Sequence, residues 1–350
     1  MADHHKMSVL SSDLAVEDVE QIHKRFLTFT RRMRQRLTAP EDAKAVSFKE
    51  DRIINDLAKK CRERRLREVG LSRLQKHEQQ GIFTLARHGG RLLGPVTLDE
   101  VDILAARLHK ESPWMSEVST FVMHHMRSFV RSGGVGFHLP PILLAGPPGI
   151  GKSWFARSIA EAAGLPFRLI DVGGGTAAFR IAGTEKGWSS AQPGRPVETM
   201  LETYVANPVM IVDEIDKAGA ILSDKGTSSS LTAALLGLLD PGTAPKFECV
   251  GTRVRFDMSR VIWVLTANDV DRIPAPLRDR CRVFHMPNVT PDMSLAFFDR
   301  LARDVCDADG LKAEARAFVA RQARSGRISL RQIARLVETL RSSDDGEPVH

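Results

Sequence analysis

The sequence predicts an α/β protein, with a parallel sheet covered by helices on both faces, a helical segment before it and a helical lid after it. Two observations predict this class. Between residues 96 and 287, short apolar runs of strand length alternate with helical periodicity, as in a three-layer α/β/α domain. Outside that range apolar residues recur at helical spacing alone. We therefore divide the chain into a mostly helical N-terminal module (1–95), an α/β domain (96–287) and a helical lid (288–350).

Composition excludes several protein classes. Hydrophobic residues make up 43% of the 350-residue sequence, as in an ordinary globular protein. No apolar run approaches the roughly 18–20 residues that a membrane span needs, and the N-terminus lacks a signal peptide's apolar core. The four cysteines show no C-x-x-C spacing, so we expect neither a zinc site nor a disulfide framework. A reducing cytoplasm is the compartment we predict.

The excess of positive charge lies in the N-terminal third. Residues 1–95 contain 20 Lys and Arg against 13 Asp and Glu, while the remainder of the chain is balanced. A basic segment could contact nucleic acid, an acidic partner or a membrane surface, or it could simply be a solvated helical face.

The N-terminal module begins, by its pattern, with a disordered start over residues 1–13. An imperfect amphipathic helix is predicted from 14 to 37. The run Ser47-Phe48-Lys49-Glu50 has the form of a capping box and predicts a second helix to Val69, followed by Gly70 as its stop. A shorter helical piece is expected over 71–88.

The remaining elements follow from capping residues, apolar runs and periodicity. Thr97 and Ser112-Pro113 predict the starts of two helices. Strands are predicted at 142–145, 167–172, 209–213 and 261–265, with an extended stretch near 247–256. Further helices are expected from Lys152 onward and over 195–205, 229–239, 292–307, 311–323 and 329–342.

A glycine-rich loop between the first strand and the next helix carries the clearest chemistry. Gly146-x-x-x-x-Gly151-Lys152-Ser153 is the P-loop pattern, in which glycines let backbone N–H groups curl around phosphate oxygens. The helix beginning at Lys152 directs its positive end at the same anion. We predict that Lys152 reaches the β- and γ-phosphates and that Ser153 binds Mg²⁺. The predicted nucleotide-binding residues are Gly146, Pro147, Pro148, Gly149, Ile150, Gly151, Lys152, Ser153 and Trp154.

Two other apolar strands end in polar side chains. The run from Val209 ends in Asp213 and Glu214, the Walker B form, which predicts Asp213 as a Mg²⁺ ligand and Glu214 as the residue that polarises the attacking water. Neighbouring carboxylates can also be mere surface charge, but a fully apolar run indicates a buried strand whose end faces a site. The strand from Val261 ends in Asn268, which either contacts the γ-phosphate and water or closes a turn.

From residue 142 to about 337 the sequence resembles an AAA+ ATPase module, most closely that of Lon-type proteases. The matching runs are Gly-Pro-Pro-Gly-Ile-Gly-Lys-Ser, then Asn207-Pro-Val-Met-Ile-Val-Asp-Glu-Ile-Asp-Lys217, Ala234-Leu-Leu-Gly-Leu-Leu-Asp-Pro241, Thr266-Ala-Asn268 and Ile273-Pro-Ala-Pro-Leu-Arg-Asp-Arg280.

The resemblance implies roles for three more side chains. Asn268 matches the family's first sensor. Arg280 stands where the family has an arginine finger that enters the neighbouring subunit's site, with Arg278 and Arg282 as flanking alternatives. Arg331 on the lid resembles the second sensor, with Arg327 as the alternative.

A pore residue is also implied. Trp188 occupies the aromatic position of the first pore loop, which grips a translocating polypeptide, but Ser189 replaces the usual aliphatic neighbour. Trp188 could instead pack internally or contact a partner. Trp114 and Met115 are candidates for adenine contact or, equally, for core packing.

The function that the resemblance implies is Mg²⁺-dependent ATP hydrolysis that drives remodelling, unfolding or translocation of a protein substrate by a homo-oligomeric ring, most simply a hexamer. Because the sequence ends at His350, directly after the lid, we expect a motor without Lon's peptidase, and a separately encoded effector would supply proteolysis. Two alternatives stay open. One is a nucleic-acid motor or loader that uses the basic N-terminal helices, and the other is an ATP-gated scaffold.

Overall fold

The N-terminal elements precede the main sheet and contact it. The structure, a computed structural model, describes residues 5–37, 46–173, 177–184, 192–220, 231–305 and 310–344. Its first elements are strand β1 (Lys6–Met7), helices α1 (Val19–Leu37), α2 (Phe48–Glu68) and α3 (Lys76–His88), and strand β2 (Gly90–Arg91).

Helices and strands then alternate, and three helices close the chain. The elements are α4 (Leu98–Glu111), α5 (Ser116–Arg131), β3 (Ile142–Ala145), α6 (Lys152–Ala162), β4 (Phe167–Asp171), α7 (Ala177–Ala182), β5 (Gly183–Thr184), β6 (Gln192–Pro193), α8 (Arg195–Thr203), β7 (Val209–Asp213), α9 (Leu231–Leu239), β8 (Phe247–Glu248), β9 (Arg255–Phe256), β10 (Ile262–Ala267), α10 (Ala275–Arg278), β11 (Arg282–His285), α11 (Pro291–Leu301), α12 (Leu311–Arg324) and α13 (Leu330–Asp344).

Five parallel strands form the central sheet in the order β11-β3-β10-β7-β4. Strand β10 therefore lies between β3 and β7, which carry the two predicted nucleotide motifs. Because all five strands run the same way, their carboxyl ends meet at one edge, where ligands bind in open α/β sheets. The predicted α/β class with flanking helices is confirmed.

Apolar cores cover both faces of the sheet. Side chains alternate along each strand, so Leu143 and Val212 contribute to one core while Ile142 and Ile211 contribute to the other. Helices α4, α5 and α6 pack on the second face. The N-terminal residues that include Leu66, Leu71, Ile82 and Leu85 join the first core. The sheet is thus sandwiched between layers, as the sequence predicted.

The prediction of a disordered start is wrong for residues 5–13. Lys6–Met7 pairs with Gly90–Arg91, and Val9 and Leu10 are buried in the first core. The first helix also begins later than predicted, at Val19. Its start is set by Asp18, whose carboxylate accepts a hydrogen bond from the Gln21 N–H at 2.8 Å. The periodicity misled because Val16, before the helix, is buried by tertiary packing.

Strand β11 was missed in the sequence. Its four residues are Arg, Val, Phe and His, and only Phe284 is fully buried, because β11 lies at the edge of the sheet. Such a short run with polar ends carries almost no strand signal. The extended stretch near 247–256 forms a small antiparallel hairpin of β8 and β9.

Helices α11, α12 and α13 have a core of their own. The core between these three helices includes Phe298, Val319, Ile333 and Val337. Trp114, in the 3₁₀ turn before α5, contacts both the lid core and the second sheet core. None of the helices that the structure describes combines the length and the hydropathy needed to cross a bilayer.

Candidate functional site

The glycine-rich loop lies between β3 and the first turn of α6, at the carboxyl edge of the sheet. Gly149 and Gly151 have positive φ angles of 81° and 89°, a backbone region that favours glycine. Gly151 is the N-cap of α6, so the helix's unpaired N–H groups face the loop. The local sequence thus builds the anion cradle that the motif predicts.

The Lys152 ammonium lies inside this loop. Its Nζ donates to the carbonyl oxygens of Gly146 at 2.7 Å and Pro147 at 2.8 Å, and to Asn268 Oδ1 at 2.9 Å. Only 7% of Lys152 is exposed, and burial lowers its pKa, although the nearby carboxylates of Asp213, Asp216 and Glu214 oppose that shift. The structure therefore brings the side chain of Lys152, at the start of α6, next to that of Asn268, which follows β10.

The Asp213 carboxylate, at the end of β7, contacts side chains of α6 and β10. Ser153 Oγ donates to Asp213 Oδ1 at 2.6 Å, and Thr266 Oγ1 donates to the same oxygen. Sequence analysis did not assign Thr266 a role. The signal available was a polar residue near the end of an otherwise apolar buried strand. Ser153 and Asp213, 60 residues apart in sequence, are thus adjacent, as a shared Mg²⁺ site requires.

Glu214 adopts a strained backbone at the end of β7. Its φ is +59°, which is uncommon outside glycine, and its N–H donates to Thr266 Oγ1 at 3.1 Å. The carboxylate accepts a hydrogen bond from Lys217 Nζ, and this contact raises the pKa of Lys217. Lys217 is a second residue near the site that sequence reasoning did not single out.

The turn after β10 is held by Asp216. Its Oδ2 accepts the N–H of Asp269 at 3.3 Å, which fixes the residue directly after Asn268. Asp216 Oδ1 is buried and has no hydrogen-bond partner within the described part of the chain. The side chain of Asn268 therefore projects from a restrained turn toward Lys152.

A cavity of about 290 Å³ lies above these strand ends and extends to the lid. Lid residues Phe297, Leu330 and Arg331 line it on one side, and Trp114 lies against Phe297 with 5.7 Å between ring centroids. The remaining lining residues are Pro148, Gly149, Gly151, Lys152, Ser153, Trp154, Asp213, Glu214, Thr266, Asn268 and Ala334.

The structure distinguishes the two candidates for adenine contact, Trp114 and Met115. Trp114 lines the cavity, and its indole N–H donates to the Ile150 carbonyl at 3.0 Å, whereas Met115 is fully buried in the second sheet core. Core packing therefore accounts for Met115. Trp154 also lines the cavity and is 59% exposed. Of the two arginines considered for the lid, Arg331 is a lining residue and Arg327 is not.

Arg280 lies outside the cleft of its own chain. Its guanidinium donates to the Pro276 carbonyl at 3.0 Å and to Asp240 Oδ2 at 3.2 Å. Of its neighbours, Arg278 pairs with Asp271 at 3.5 Å, and Arg282 stacks over the ring of Phe121. No one of the three lines the cavity. Trp188, the predicted pore residue, lies outside the described residues.

The chemistry of the donor set fits a nucleoside triphosphate with Mg²⁺. Backbone N–H groups and Lys152 match phosphate oxygens, and a hydroxyl beside a carboxylate matches a hard cation that takes its other ligands from phosphate and water. Among the described residues, no cluster of three or more His, Cys, Asp or Glu side chains could hold a metal alone. A cation held by Ser153 and Asp213 would need further oxygen ligands, which phosphate and water can supply.

Comparison with known proteins agrees with this geometry. The family model described as "ATPase family associated with various cellular activities (AAA)" matches residues 142–288, from β3 through β11. Residues 142–288 are an AAA ATPase domain. ATP hydrolysis is the activity for which this family is described, and the matched range of the AAA domain contains each strand end that forms the cleft.

The AAA domain and its flanks are related to Lon proteases. Lon protease 4 of Sorangium cellulosum is 35% identical over 198 residues, which are 57% of this chain and 24% of that protein. The mitochondrial Lon protease homolog of Mus musculus is 36% identical over 178 residues, 50% of this chain and 18% of that protein. The chain thus spans about a quarter or less of these two relatives.

A third relative reaches beyond the AAA domain. The peroxisomal Lon protease homolog 2 of Oryza sativa subsp. indica is 30% identical over 317 residues, 84% of this chain and 34% of that protein. Residues 96–350 make up about 73% of the chain, which is less than the 84% that this similarity covers. The similarity therefore includes part of residues 1–95, which lie outside the range of 142 to about 337 over which the sequence analysis describes a resemblance.

Contact between the P-loop and the lid gives one testable expectation. A Cβ added to Gly149 would lie 2.7 Å from Ser329 Cβ, next to the point where the Leu330 N–H donates to the Gly149 carbonyl. Overpacking of this kind costs about 1–3 kcal/mol. We expect Gly149→Ala to push the loop and lid apart and to weaken nucleotide binding roughly tenfold, measured by titration with a fluorescent ATP analogue.

Gly164→Ala is the matched control. Gly164 also has a positive φ, of 65°, but no atom lies within 4 Å of the added Cβ. Both variants carry the backbone penalty of about 1–2 kcal/mol, visible as a lowered melting temperature. Only Gly149→Ala should lose nucleotide affinity, and equal affinity in the two variants would contradict the predicted loop–lid contact.

Proposed function

We propose that this chain hydrolyses ATP with Mg²⁺ and couples hydrolysis to the remodelling, unfolding or translocation of a protein substrate within a ring of identical subunits. The observation that carries the proposal is the meeting of Lys152, Ser153, Asp213, Glu214 and Asn268 at three adjacent strand ends of an AAA domain. The relationship to Lon proteases supports a protein substrate rather than another cargo.

The binding roles follow from the donors and acceptors. The loop N–H groups and Lys152 hold the phosphates, while Ser153 and Asp213 orient the cation and Arg331 reaches the cleft from the lid. Bound Mg²⁺ supplies positive charge that neutralises the phosphates and the charge that develops on them. Trp114, Phe297 and Trp154 offer aromatic surface at the mouth of the same cleft.

Glu214 is the proposed general base, and Asn268 the proposed positioning group for the attacking water. Glu214 needs a free lone pair to accept a proton from water. In this structure its carboxylate bonds Lys217, so the base has a partner that competes with water. Asn268 Oδ1 is engaged by Lys152, which fixes the amide beside the phosphate-binding lysine.

The position of Arg280 supports the proposal of a ring of subunits. An arginine that stabilises transition-state charge must reach a γ-phosphate, and Arg280 lies outside its own cleft in a pair with Asp240. We propose that it serves the cleft of an adjacent subunit and that the assembly is a homohexamer. The proposal concerns the motor activity, and a separately encoded effector would supply any proteolytic step.

The basic N-terminal helices give only weak support to a nucleic-acid target. Six of their Lys and Arg side chains pair with Asp or Glu of the same helices or the segment before them, which reduces the positive field. The pairs are Lys24–Glu20, Arg25–Glu17, Arg34–Glu50, Lys59–Asp56, Arg64–Glu68 and Arg67–Glu63.

The compartment is part of the proposal. Cys61, Cys249 and Cys281 are free thiols, which agrees with a reducing environment such as the cytoplasm. Two of the relatives named above are mitochondrial and peroxisomal proteins, so localisation of the tagged chain is the direct check.

A protein target and a nucleic-acid target can be distinguished by which of the two stimulates the ATPase rate. We expect an unfolded protein such as casein to raise the ATPase rate several-fold, with little effect of duplex or single-stranded DNA. Stimulation by DNA that disappears between 50 and 200 mM salt would favour the nucleic-acid alternative instead. Trp188→Ala tests threading, since unchanged substrate processing with an intact ATPase would exclude Trp188 from the pore role.

A further inference from the structure

Two pairs of large apolar side chains are exposed on the α1–α2 helix pair. Phe29 and Met33 of α1 are 64% and 38% exposed, and Ile53 and Leu57 of α2 are 52% and 50% exposed. Members of each pair are four residues apart and therefore share a helix face. We call these four side chains the α1–α2 apolar face.

This face is separate from the contacts that hold the helices in the fold. Ile22 of α1 and Ile54, Ala58 and Leu66 of α2 are buried, and they secure the two helices. Of the other exposed large apolar residues, Phe48 is the first residue of α2 and the rest lie on other elements, with Trp154 lining the nucleotide cleft. Grouped exposed apolar side chains are typical of interaction sites.

Basic side chains border every member of the face. Arg32 and Arg36 lie three residues after Phe29 and Met33, Lys60 lies three after Leu57, and Lys49 lies four before Ile53. All four are exposed, and none forms an ion pair with any residue that the structure describes. On the same helices, by contrast, Arg64 and Arg67 are neutralised by Glu68 and Glu63. Arg31, Arg52 and Arg65 of these helices likewise form no ion pair with a described residue, so α1 and α2 carry exposed positive charge that includes the border of the apolar face.

We propose that the α1–α2 apolar face docks an acidic amphipathic helix of a partner protein. Leu- or Phe-type side chains of that helix would cover Phe29, Met33, Ile53 and Leu57, and its carboxylates would meet the bordering Arg and Lys side chains. Burial of apolar surface supplies affinity, and complementary charge supplies orientation and a fast association rate. The inference does not depend on ATP hydrolysis.

Other occupants match the face less well. Two copies of this chain that met through the face would bring like charges together, which costs free energy. Nucleic acid offers phosphates but no side chains to cover Ile53 and Leu57. Helices that lie in a bilayer surface carry a long apolar stripe, whereas α1 and α2 each contribute only two side chains to this face.

Fluorescence anisotropy with the full chain tests the proposal. The probe is a labelled 18-residue helical peptide with Leu along one stripe and Glu elsewhere, and its partner peptide has Lys in place of every Glu. We expect the Glu peptide to bind more tightly than the Lys peptide, with affinity that falls as salt rises. Leu57→Glu and Lys60→Glu should each weaken binding at least tenfold.

Ile103→Glu is the matched control, because Ile103 is 69% exposed on α4, outside the face. It should leave peptide binding unchanged, and circular dichroism should show that all three variants are folded. Equal binding of the two peptides, or wild-type affinity in folded Leu57→Glu, would overturn the proposal. Binding to phosphatidylserine vesicles or DNA, or self-association, that is lost in Leu57→Glu while the Glu peptide fails to bind would assign the face to that occupant instead.

Discussion

The Glu214→Gln variant is expected to bind ATP with near-normal affinity and to hydrolyse it roughly 100- to 10,000-fold more slowly than the wild-type protein. The amide has the size of the carboxylate but cannot accept a proton from water. The backbone of residue 214 is held through its N–H by Thr266, so the substitution should leave the strand end in place. The loss should therefore appear in turnover and not in nucleotide binding.

Single-turnover phosphate release and equilibrium titration with a fluorescent ATP analogue measure the two quantities separately. Glu202→Gln is a suitable control, because Glu202 is also in an ion pair, with Arg168, but lies on the surface away from the cleft. Wild-type turnover in Glu214→Gln would mean that another group is the base. Full biological output without hydrolysis would identify the chain as an ATP-gated scaffold.

The second large effect is expected at Arg280. Arginine fingers contribute roughly 10³- to 10⁵-fold to turnover, and Arg280→Ala should lose activity on that scale in the assembled ring. Its affinity for ATP should change little, since Arg280 lies outside its own cleft. Arg278→Ala and Arg282→Ala, which alter side chains held by Asp271 and by the Phe121 ring, should have much smaller effects.

A mixing experiment shows whether Arg280 acts between subunits. Lys152→Ala removes the phosphate-binding lysine but keeps Arg280, whereas Arg280→Ala keeps a complete cleft. Each variant alone should be inactive. Mixed rings should regain measurable hydrolysis where an intact cleft adjoins an intact Arg280. If the mixture stays as inactive as its components while the subunits still assemble, Arg280 does not act in trans.

Much of the fold was predictable because its signals are local. Fully apolar runs predicted β3, β7 and β10, and capping boxes at Ser47 and Thr97 predicted the starts of α2 and α4, both of which the structure contains. Elements whose signal depends on packing were harder to predict. Strand β11 has mixed composition, and the segment around Val9 and Leu10 is ordered by a core to which distant residues contribute.

The candidate site divides in the same way. The P-loop and the acidic strand end were readable because glycine conformation, strand length and helix start are encoded within about ten residues. The sequence was ambiguous between Arg331 and Arg327, and between nucleotide contact and core packing for Trp114 and Met115. Burial and cavity lining separated the members of each pair.

By itself, then, the sequence determined that this chain has an α/β nucleotide-binding domain with a phosphate loop, an acidic strand end and a helical lid. Only the tertiary structure decided that Thr266 and Ser153 share one oxygen of Asp213, that Lys217 bonds Glu214 and that Arg280 lies outside its own cleft. The physical reason is that these contacts join residues on separate elements or depend on side-chain direction. Strand order and packing set them, and no local pattern of residues encodes either.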